Sequence, residues 1–202
     1  MTASLPHDWF VQIFGSGNPP TNAPLVYTGA QDLAVLLAFS KTFHPQTVVE
    51  VGIQRGITAQ VLLNQGPWIS SYIGIDITPQ ALPSLAIQDA EVPAKAGELV
   101  DGDPRVTVRV SLRGSRDCSP GDLPPVDLIF IDGDHSEEGV LYDTLLAREV
   151  IRPGGVICWH DYGNASVPSV MDVIDQLNAA EGNHIWHVEG TVVCFEIRRR
   201  PV

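Results

Sequence analysis

Two short segments of the sequence place ionisable side chains directly after apolar runs. These side chains are Asp132, Asp134 and His135 after the run 126–131, and His160 and Asp161 after the run 156–159. Burying a charge is costly unless it is paired or bound to a metal, so packing alone does not account for these residues. Imidazole titrates near neutral pH and suits proton transfer. Both segments are therefore candidates for acid–base or metal chemistry.

A third segment, closer to the N-terminus, has the glycines of a ligand-binding turn. Gly52 ends the run 47–51 and lets the chain turn sharply, and Gly56 lets the next helix pack closely. A dinucleotide fingerprint needs another glycine at position 54, which holds Gln54 instead. The loop therefore lacks a dedicated site for a pyrophosphate.

Asp76 ends the apolar run that follows this glycine loop. In sheets that bind nucleosides, an acid at this place accepts hydrogen bonds from the ribose hydroxyls. The alternative is that Asp76 caps the helix after it, because aspartate is a preferred N-cap residue. The sequence leaves both roles open.

Alternating strands and helices position these residues. Predicted strands cover 47–51, 72–76, 105–110, 126–131, 156–160, 184–188 and 191–197, and predicted helices cover 31–42, 58–64, 79–89, 136–151 and 167–180. This alternation predicts an α/β fold with a Rossmann-like, doubly wound, mostly parallel seven-stranded sheet and a C-terminal antiparallel hairpin. If the strands 126–131 and 156–160 are neighbours, the ionisable residues after them converge on one patch.

The chain of 202 residues is expected to form one domain over residues 31–202, preceded by an N-terminal arm or lid over residues 1–30. Residues 1–30 are rich in the residue types that favour turns. Such an arm often packs on a partner subunit, so a homo-oligomer stays open. The pocket for a reaction partner is expected between this arm and the segment 163–169.

Charge and cysteine content exclude several classes of partner. With 24 acidic and 12 basic residues the formal net charge is −12, which repels a polyanion such as nucleic acid. No apolar run approaches the roughly 20 residues that span a bilayer. The three cysteines are far apart and odd in number, which is typical of a reducing compartment. We expect a cytoplasmic protein that binds a small molecule, without nucleic acid or membrane partners.

Together these motifs resemble the class I S-adenosylmethionine-dependent methyltransferases. The matching segments are Glu50-Val51-Gly52 with Gly56, Gly74-Ile75-Asp76, Ile131-Asp132-Gly133-Asp134-His135, and Pro153-Gly154-Gly155 followed by His160-Asp161-Tyr162. Their order and spacing are similar to those of the small O-methyltransferase branch that includes catechol-type and macrolide-sugar enzymes. The resemblance extends over about residues 31–198 and implies O-methylation of a small hydroxylated acceptor.

The resemblance also implies a role for each matching residue. Glu50, Gly52 and Gly56 would line the methionine part of S-adenosylmethionine, Asp76 would hold its ribose, and Ser115 would touch its adenine. Asp132 and Asp161 match metal-binding carboxylates, Asp132 also lies near the cofactor, and His135 matches a general base.

His160 departs from the family pattern. Relatives often carry a second acid at this position, which completes an all-oxygen magnesium site. An imidazole weakens the case for Mg²⁺ and admits Mn²⁺ or another softer ion, with Asp132, His160 and Asp161 as ligands. Successive side chains of a strand point to opposite faces, so His160 and Asp161 can share a metal only if the strand has already ended. The sequence leaves metal dependence open.

Two other functions compete with methyl transfer. A nicotinamide-dependent oxidoreductase has a similar sheet, but Gln54 disfavours it, as does the absence of a Tyr-xxx-Lys pair in a chain whose only lysines are Lys41 and Lys95. A non-catalytic scaffold that binds S-adenosylmethionine would not need the acids and histidines. For His135 itself, the alternatives are helix capping or a hydrogen bond to the neighbouring acids.

Overall fold

Apolar, β-branched segments form a sheet of eight strands in the computed structural model, which describes residues 1–21, 28–78, 93–182 and 184–199. The strands are β1 (Ala3–Leu5), β2 (Thr47–Val51), β3 (Ser71–Ile77), β4 (Val106–Ser111), β5 (Val126–Ile131), β6 (Ile151–Trp159), β7 (Trp186–Val188) and β8 (Cys194–Ile197). Their order across the sheet is β1-β7-β8-β6-β5-β2-β3-β4. Strands β2 to β6 run parallel, and β8 is antiparallel to both β6 and β7. The Rossmann-like α/β fold and its antiparallel C-terminal hairpin are confirmed.

Five α-helices are found within the described residues. They are α1 (His7–Phe14), α2 (Ala30–Phe43), α3 (Ile57–Gln65), α4 (Glu137–Val150) and α5 (Pro168–Glu181). The α4 helix begins at a serine cap, because the Ser136 side chain accepts a hydrogen bond from the Gly139 N–H. The predicted helix 79–89 lies outside the described residues.

Part of the predicted irregular arm forms regular structure, namely β1 and α1. Strand β1 pairs in parallel with β7 at one edge of the sheet and makes the eighth strand, beyond the seven that the sequence predicts. In α1, the Phe10 side chain is buried against Phe39 and Phe195. At least residues 3–14 therefore belong to the folded core.

Strand β6 begins earlier than predicted because Ile151 already pairs with Val126. The register then shifts, so that Leu128 pairs with Val156 and the Pro153-Gly154-Gly155 segment forms an irregularity inside the strand. The end of β6 is unaffected, since Trp159 pairs with Ile131. This pairing places the carboxyl ends of β5 and β6 side by side.

The sheet has a hydrophobic cluster on each face. One cluster contains Leu36, Phe39 and Leu62 from α2 and α3, and the other contains Val140 and Ile174 from α4 and α5. Helices on both faces hold the strand ends in fixed positions. None of the helices formed by the described residues has the length and apolar character needed to cross a membrane.

Candidate functional site

The loops after β2 and β5 touch at the carboxyl edge of the sheet. Gly52 has φ of +86°, and a Cβ added to it would lie 1.9 Å from the carbonyl oxygen of Asp132. The Gly52 N–H donates to the Ile75 carbonyl at 2.8 Å, and the Asp132 N–H donates to the Val51 carbonyl at 2.8 Å. Only glycine allows this approach, which brings the glycine loop against the first ionisable segment.

The second ionisable segment meets the first because β6 stops at Trp159. The His160 N–H donates to the Ile131 carbonyl at 3.0 Å, and Asp161 then takes a left-handed φ of +63°. The Asn164 side chain donates to Asp161 Oδ1 at 2.7 Å and supports this turn. The strand has therefore ended before His160, and the side chains of His160 and Asp161 both reach the same place.

Asp132, His135, His160 and Asp161 form what we call the acid–imidazole cluster. His135 Nε2 lies 2.9 Å from Asp161 Oδ2 and 3.7 Å from Asp132 Oδ1. His160 Nδ1 lies 3.2 Å from Asp132 Oδ1 and 3.4 Å from Asp161 Oδ2. The predicted convergence of these four residues is what the structure shows.

Both histidines of the cluster have pKa values above the ordinary value of imidazole. Burial lowers the pKa of His135, but the carboxylates of Asp132 and Asp161 outweigh it and raise that pKa to about 9. Burial is likewise outweighed at His160, whose pKa Asp132, Asp161 and Asp32 raise to about 12. In return, although burial alone would raise the pKa values of Asp132 and Asp161, the imidazoles hold both below the usual range. In the chain alone, the cluster is a set of carboxylates neutralised by imidazolium ions.

The donor set of the cluster fits a divalent cation. Ligand atoms of Asp132, His135 and Asp161 lie within 4.8 Å of one another. His135 Nε2 and both ring nitrogens of His160 are buried and make no well-aligned hydrogen bond to a described residue. Carboxylate oxygens and imidazole nitrogens are the usual ligands of first-row transition metals. These residues could therefore exchange their protons for a metal ion.

Asp76 lies near the end of β3, at the same carboxyl edge of the sheet as the acid–imidazole cluster. Its Oδ2 accepts the Gln54 N–H at 2.7 Å and its Oδ1 accepts the Ile77 N–H at 2.7 Å. Burial raises the pKa of this carboxyl despite both hydrogen bonds. Asp76 also borders a cleft of about 330 Å³ whose other walls are Ile77, Val108, Val110 and residues 93–96. The helix that Asp76 would cap in the alternative role lies outside the described residues.

Glu50 is buried below the glycine loop, where it is 2% exposed. Its Oε2 accepts the Tyr72 hydroxyl at 2.7 Å. Burial, followed by the charges of Asp132 and Asp76, raises the pKa of Glu50 to about 8, although Tyr72 and Thr58 oppose the shift. A ligand with positive charge near Glu50 would favour its ionised form.

The free energy of unfolding of the wild type should fall as pH rises, because Glu50 is buried, and replacing Glu50 with glutamine should remove this fall. The folded state keeps a proton on Glu50 up to about pH 8, whereas the unfolded chain releases it near the ordinary value of 4.5. Stability therefore falls as pH rises between these values, and the variant escapes this fall. We expect the free energy of unfolding of Glu50→Gln to exceed that of the wild type by about 1 kcal/mol or more at pH 8, with little difference at pH 5.

Urea unfolding at several pH values measures this difference, and the exposed Glu189→Gln serves as the control. A difference between Glu50→Gln and wild type that does not change with pH would contradict the predicted proton on Glu50.

Ser115 lies in the short 3₁₀ segment Gly114–Asp117 after β4, and it is buried. Gly114 lies against the end of β3, since a Cβ added to it would be 3.1 Å from the Ile77 side chain. Arg116 then joins this segment to the loop after β5 through a 2.6 Å ion pair with Asp134. This segment therefore brings Gly114 next to Asp76 and places Ser115 on the same edge of the sheet as the cluster.

Gly56 allows another close approach at this edge. It has φ of +87°, and a Cβ added to it would lie 3.1 Å from the Val100 side chain and 3.3 Å from Gly97 Cα. The glycine therefore lets α3 begin against the segment 97–100, beneath the loop that carries Gln54.

Sequence reasoning missed three polar residues at this edge. Asp32 reaches His160 from α2, Tyr72 holds Glu50, and Asp143 is a buried carboxyl on α4 whose pKa burial raises to about 7. Asp143 could have been found as a charged residue on the apolar face of a predicted helix, at helical spacing from Val140 and Ala147. No local pattern marks the other two, because their partners are distant in sequence.

Comparison with known proteins agrees with this arrangement. Residues 49–162 match the family model of a methyltransferase domain. The match begins within β2 and ends just after Asp161, so it contains most of the carboxyl edge described above. No match to a curated protein was found.

Several solved structures share the fold. The methyltransferase PaMTH1 of Podospora anserina, solved with SAH, has a TM-score of 0.64 and 13% identity, covering 87% of this chain and 80% of its own. The O-methyltransferase TomG of Streptomyces achromogenes, solved with SAM, has a TM-score of 0.59 and 17% identity over 87% of this chain and 83% of its own. An O-methyltransferase of Bacillus cereus, solved with SAH, has a TM-score of 0.57 and 18% identity over 95% and 90%. At these identities the likeness shows a common fold.

Proposed function

Because the chain belongs to the methyltransferase family whose domain model matches residues 49–162, we propose that it transfers a methyl group from S-adenosylmethionine to a hydroxyl of a small molecule. The donor is supported by structural neighbours that were solved with SAM or SAH bound. Transfer to oxygen is supported by two neighbours that are O-methyltransferases by name, TomG and the Bacillus cereus enzyme.

The observation that carries this proposal is the contact between the glycine loop and the acid–imidazole cluster. Gly52 lies against the Asp132 backbone, and Asp76 lies one strand further along the same edge. A nucleoside held by Asp76 would therefore extend its amino-acid part over Gly52 towards Asp132. This arrangement would place a methyl donor next to the groups that can activate an acceptor.

Each residue of the edge then has a role in binding the donor. Asp76 would accept hydrogen bonds from the ribose, Ser115 would contact the adenine, and Glu50, Gly52 and Gly56 would line the methionine part. Asp76 keeps acceptor capacity for this role, since a carboxylate has about four lone-pair sites and two hydrogen bonds from backbone N–H groups of the described residues occupy part of them. The buried Glu50 would face the positive charge of the donor.

The reaction is an in-line displacement at carbon. The acceptor oxygen forms a bond to the methyl carbon, the carbon–sulfur bond breaks, and its electron pair stays on sulfur, which becomes a neutral thioether. The acceptor proton must leave, and His135 would take it at Nε2. Orientation of the two reactants supplies much of the rate, because the sulfonium is already an activated electrophile.

A base role for His135 requires that the charge of its neighbours be offset. With a pKa of about 9, His135 is protonated at neutral pH in the chain alone. A divalent cation bound by Asp132 and Asp161, such as Mg²⁺ or Mn²⁺, would offset these carboxylates and also lower the pKa of an acceptor hydroxyl. The pKa of His135 would then fall, and its neutral imidazole could take up the acceptor proton and release it afterwards.

Replacing Asp76 with asparagine tests the donor site. The variant keeps an acceptor for one backbone N–H but loses the charge that strengthens hydrogen bonds to ribose. We expect the affinity for S-adenosylhomocysteine, measured by calorimetry, to fall about 10- to 100-fold, since a hydrogen bond to a charged group contributes roughly 1.5–3 kcal/mol. Asp103→Asn is the matched control, because Asp103 also accepts a backbone N–H but lies before β4, at the other end of its strand.

The same protein distinguishes methyl transfer from the oxidoreductase alternative. S-adenosylhomocysteine should raise the melting temperature of the wild type, whereas NAD should not, because only a ligand of the folded state stabilises it. Stabilisation by NAD alone would favour the oxidoreductase. Binding of S-adenosylhomocysteine without methyl transfer to any hydroxylated compound would favour the scaffold.

Composition and surface features support a small-molecule acceptor, a reducing compartment and a homo-oligomer. The net charge of −12 favours a small-molecule acceptor over nucleic acid. All three cysteines are free thiols, which supports a reducing compartment such as the cytoplasm. Exposed apolar side chains on α1, among them Trp9 and Ile13, are candidates for a contact between subunits of a homo-oligomer.

A further inference from the structure

Asp32, which no motif of the sequence indicated, faces the acid–imidazole cluster from the first turn of α2. The residue is 8% exposed, and its Oδ2 lies 3.6 Å from His160 Nε2. Asp32 Oδ1 accepts the Val192 N–H at 3.0 Å, and Oδ2 accepts the Gly29 N–H at 3.1 Å. These bonds to two separate segments fix the carboxylate on one side of the imidazole.

The His160 ring lies between Asp32 and the rest of the cluster. Its side chain is 4% exposed, and neither ring nitrogen makes a well-aligned hydrogen bond to a described residue. A carboxylate next to one nitrogen favours the tautomer with the proton there, as in the carboxylate–histidine–metal arrangements of metalloproteins. With Asp32 at Nε2, Nδ1 is the ring nitrogen next to Asp132 and Asp161.

The distances from His160 Nδ1 to the carboxylate oxygens of Asp132 and Asp161 are those expected between ligands of a single metal ion. Adjacent ligands about 2.1 Å from a metal are about 3 Å apart. The separations from His160 Nδ1 are 3.2 Å to Asp132 and 3.4 Å to Asp161, close to this value. His135 Nε2, at 2.9 Å from Asp161 Oδ2, lies beside this set of ligands.

We propose that Asp32 is a positioning residue for a transition-metal site in which His160 Nδ1, Asp132 and Asp161 are ligands. Asp32 acts through the imidazole and does not touch the ion. The mixed nitrogen and oxygen donors select Mn²⁺, Fe²⁺ or Co²⁺ over Mg²⁺, which prefers an all-oxygen site. The assignment rests on the proposed function, since this is the edge at which the acceptor would be methylated.

Electron paramagnetic resonance with Mn²⁺ as the probe tests this site without turnover. We expect the purified protein to bind one Mn²⁺ and to require at least a 10-fold higher concentration of Mg²⁺ to displace half of it. Pulsed spectra should show coupling to an imidazole nitrogen. To assign this nitrogen, the measurement is made in a His135→Gln background, where further replacement of His160 with glutamine should abolish the coupling.

Asp32→Asn tests the positioning role. Loss of a carboxylate that orients a metal-bound histidine typically weakens metal binding by about 10- to 100-fold, and we expect the same loss of Mn²⁺ affinity here. The matched control is Asp127→Asn, because Asp127 also accepts two backbone N–H groups but lies at the other end of β5 from the cluster. This control should keep wild-type Mn²⁺ affinity. His160→Asp should instead shift the preference towards Mg²⁺.

Three results would overturn the inference: no nitrogen coupling from His160, equal binding of Mn²⁺ and Mg²⁺, or unchanged Mn²⁺ affinity in a folded Asp32→Asn protein. A wild type that binds no transition metal would overturn it too. Calorimetry with S-adenosylhomocysteine on the same preparations separates the two proposals. A protein that binds the nucleoside but no transition metal contradicts only this inference, and the reverse result contradicts only the proposed function.

Discussion

Replacing Asp132 with asparagine should lower methyl transfer by about 1,000-fold, because it removes a fixed charge from the centre of the reacting groups. Asp132 contacts both histidines of the cluster, with His160 Nδ1 at 3.2 Å and His135 Nε2 at 3.7 Å. The Asp132 N–H bond to Val51 belongs to the backbone and survives the change. The fold and the shape of the glycine loop should therefore be kept.

Turnover of Asp132→Asn is measured as release of S-adenosylhomocysteine at saturating donor and acceptor. Asp127→Asn is the control at the other end of the same strand, where Asp127 accepts the N–H groups of Gln46 and Thr47. This control should lose stability but keep its turnover per folded molecule. Near-normal turnover in a folded Asp132→Asn protein would remove Asp132 from the reacting groups.

Replacing His135 with alanine should separate chemistry from donor binding. Loss of a general base lowers turnover by about 100-fold or more. The affinity for S-adenosylhomocysteine should change by less than about 3-fold, because the donor would be held by Asp76 and the glycine loop. Both quantities are measured on one preparation, by a turnover assay and by calorimetry.

The exposed His7, on α1, provides the control, and His7→Ala should resemble the wild type in both measurements. Retained turnover in His135→Ala would assign the proton to another group or to water, and His135 would keep only its contacts with the two carboxylates. A parallel loss of affinity and turnover would indicate a role in donor binding.

The parallel core of the sheet could be predicted from the sequence because its signals are local. The run Val126–Ile131 is apolar except for Asp127, which is typical of a strand buried on both faces, and it forms β5 over these residues. The predicted helix 136–151 is observed as α4, which begins after Ser136, whose side chain accepts the Gly139 N–H. The position of the reacting groups followed from these strand ends, since parallel neighbours bring their carboxyl ends to one edge.

The parts that sequence reasoning missed depend on contacts between distant segments. The three residues of β1 are too short to show a period, and they form a strand only because β7 offers them an edge. The helix α1 stands next to many turn-forming residues, and the burial of Phe10 among distant aromatic rings decides its place. Asp32 is missed for the same reason, because only the folded chain brings α2 to the end of β6.

The irregularity inside β6 shows a second limit of prediction from the sequence. Proline and glycine at 153–155 are normally read as the end of a segment, and the predicted strand began only at position 156. The structure continues the strand through them with a shift in register, because Ile151 finds a partner in Val126. The error did not affect the site, since the site depends on where β6 ends.

The central claim is that S-adenosylmethionine binds across the ends of β2 and β3, beside the acid–imidazole cluster. Isothermal calorimetry of S-adenosylhomocysteine with the wild-type protein tests it most directly. We expect one bound nucleoside per chain, with NAD giving no heat under the same conditions. A folded protein that takes up neither S-adenosylmethionine nor S-adenosylhomocysteine would contradict it.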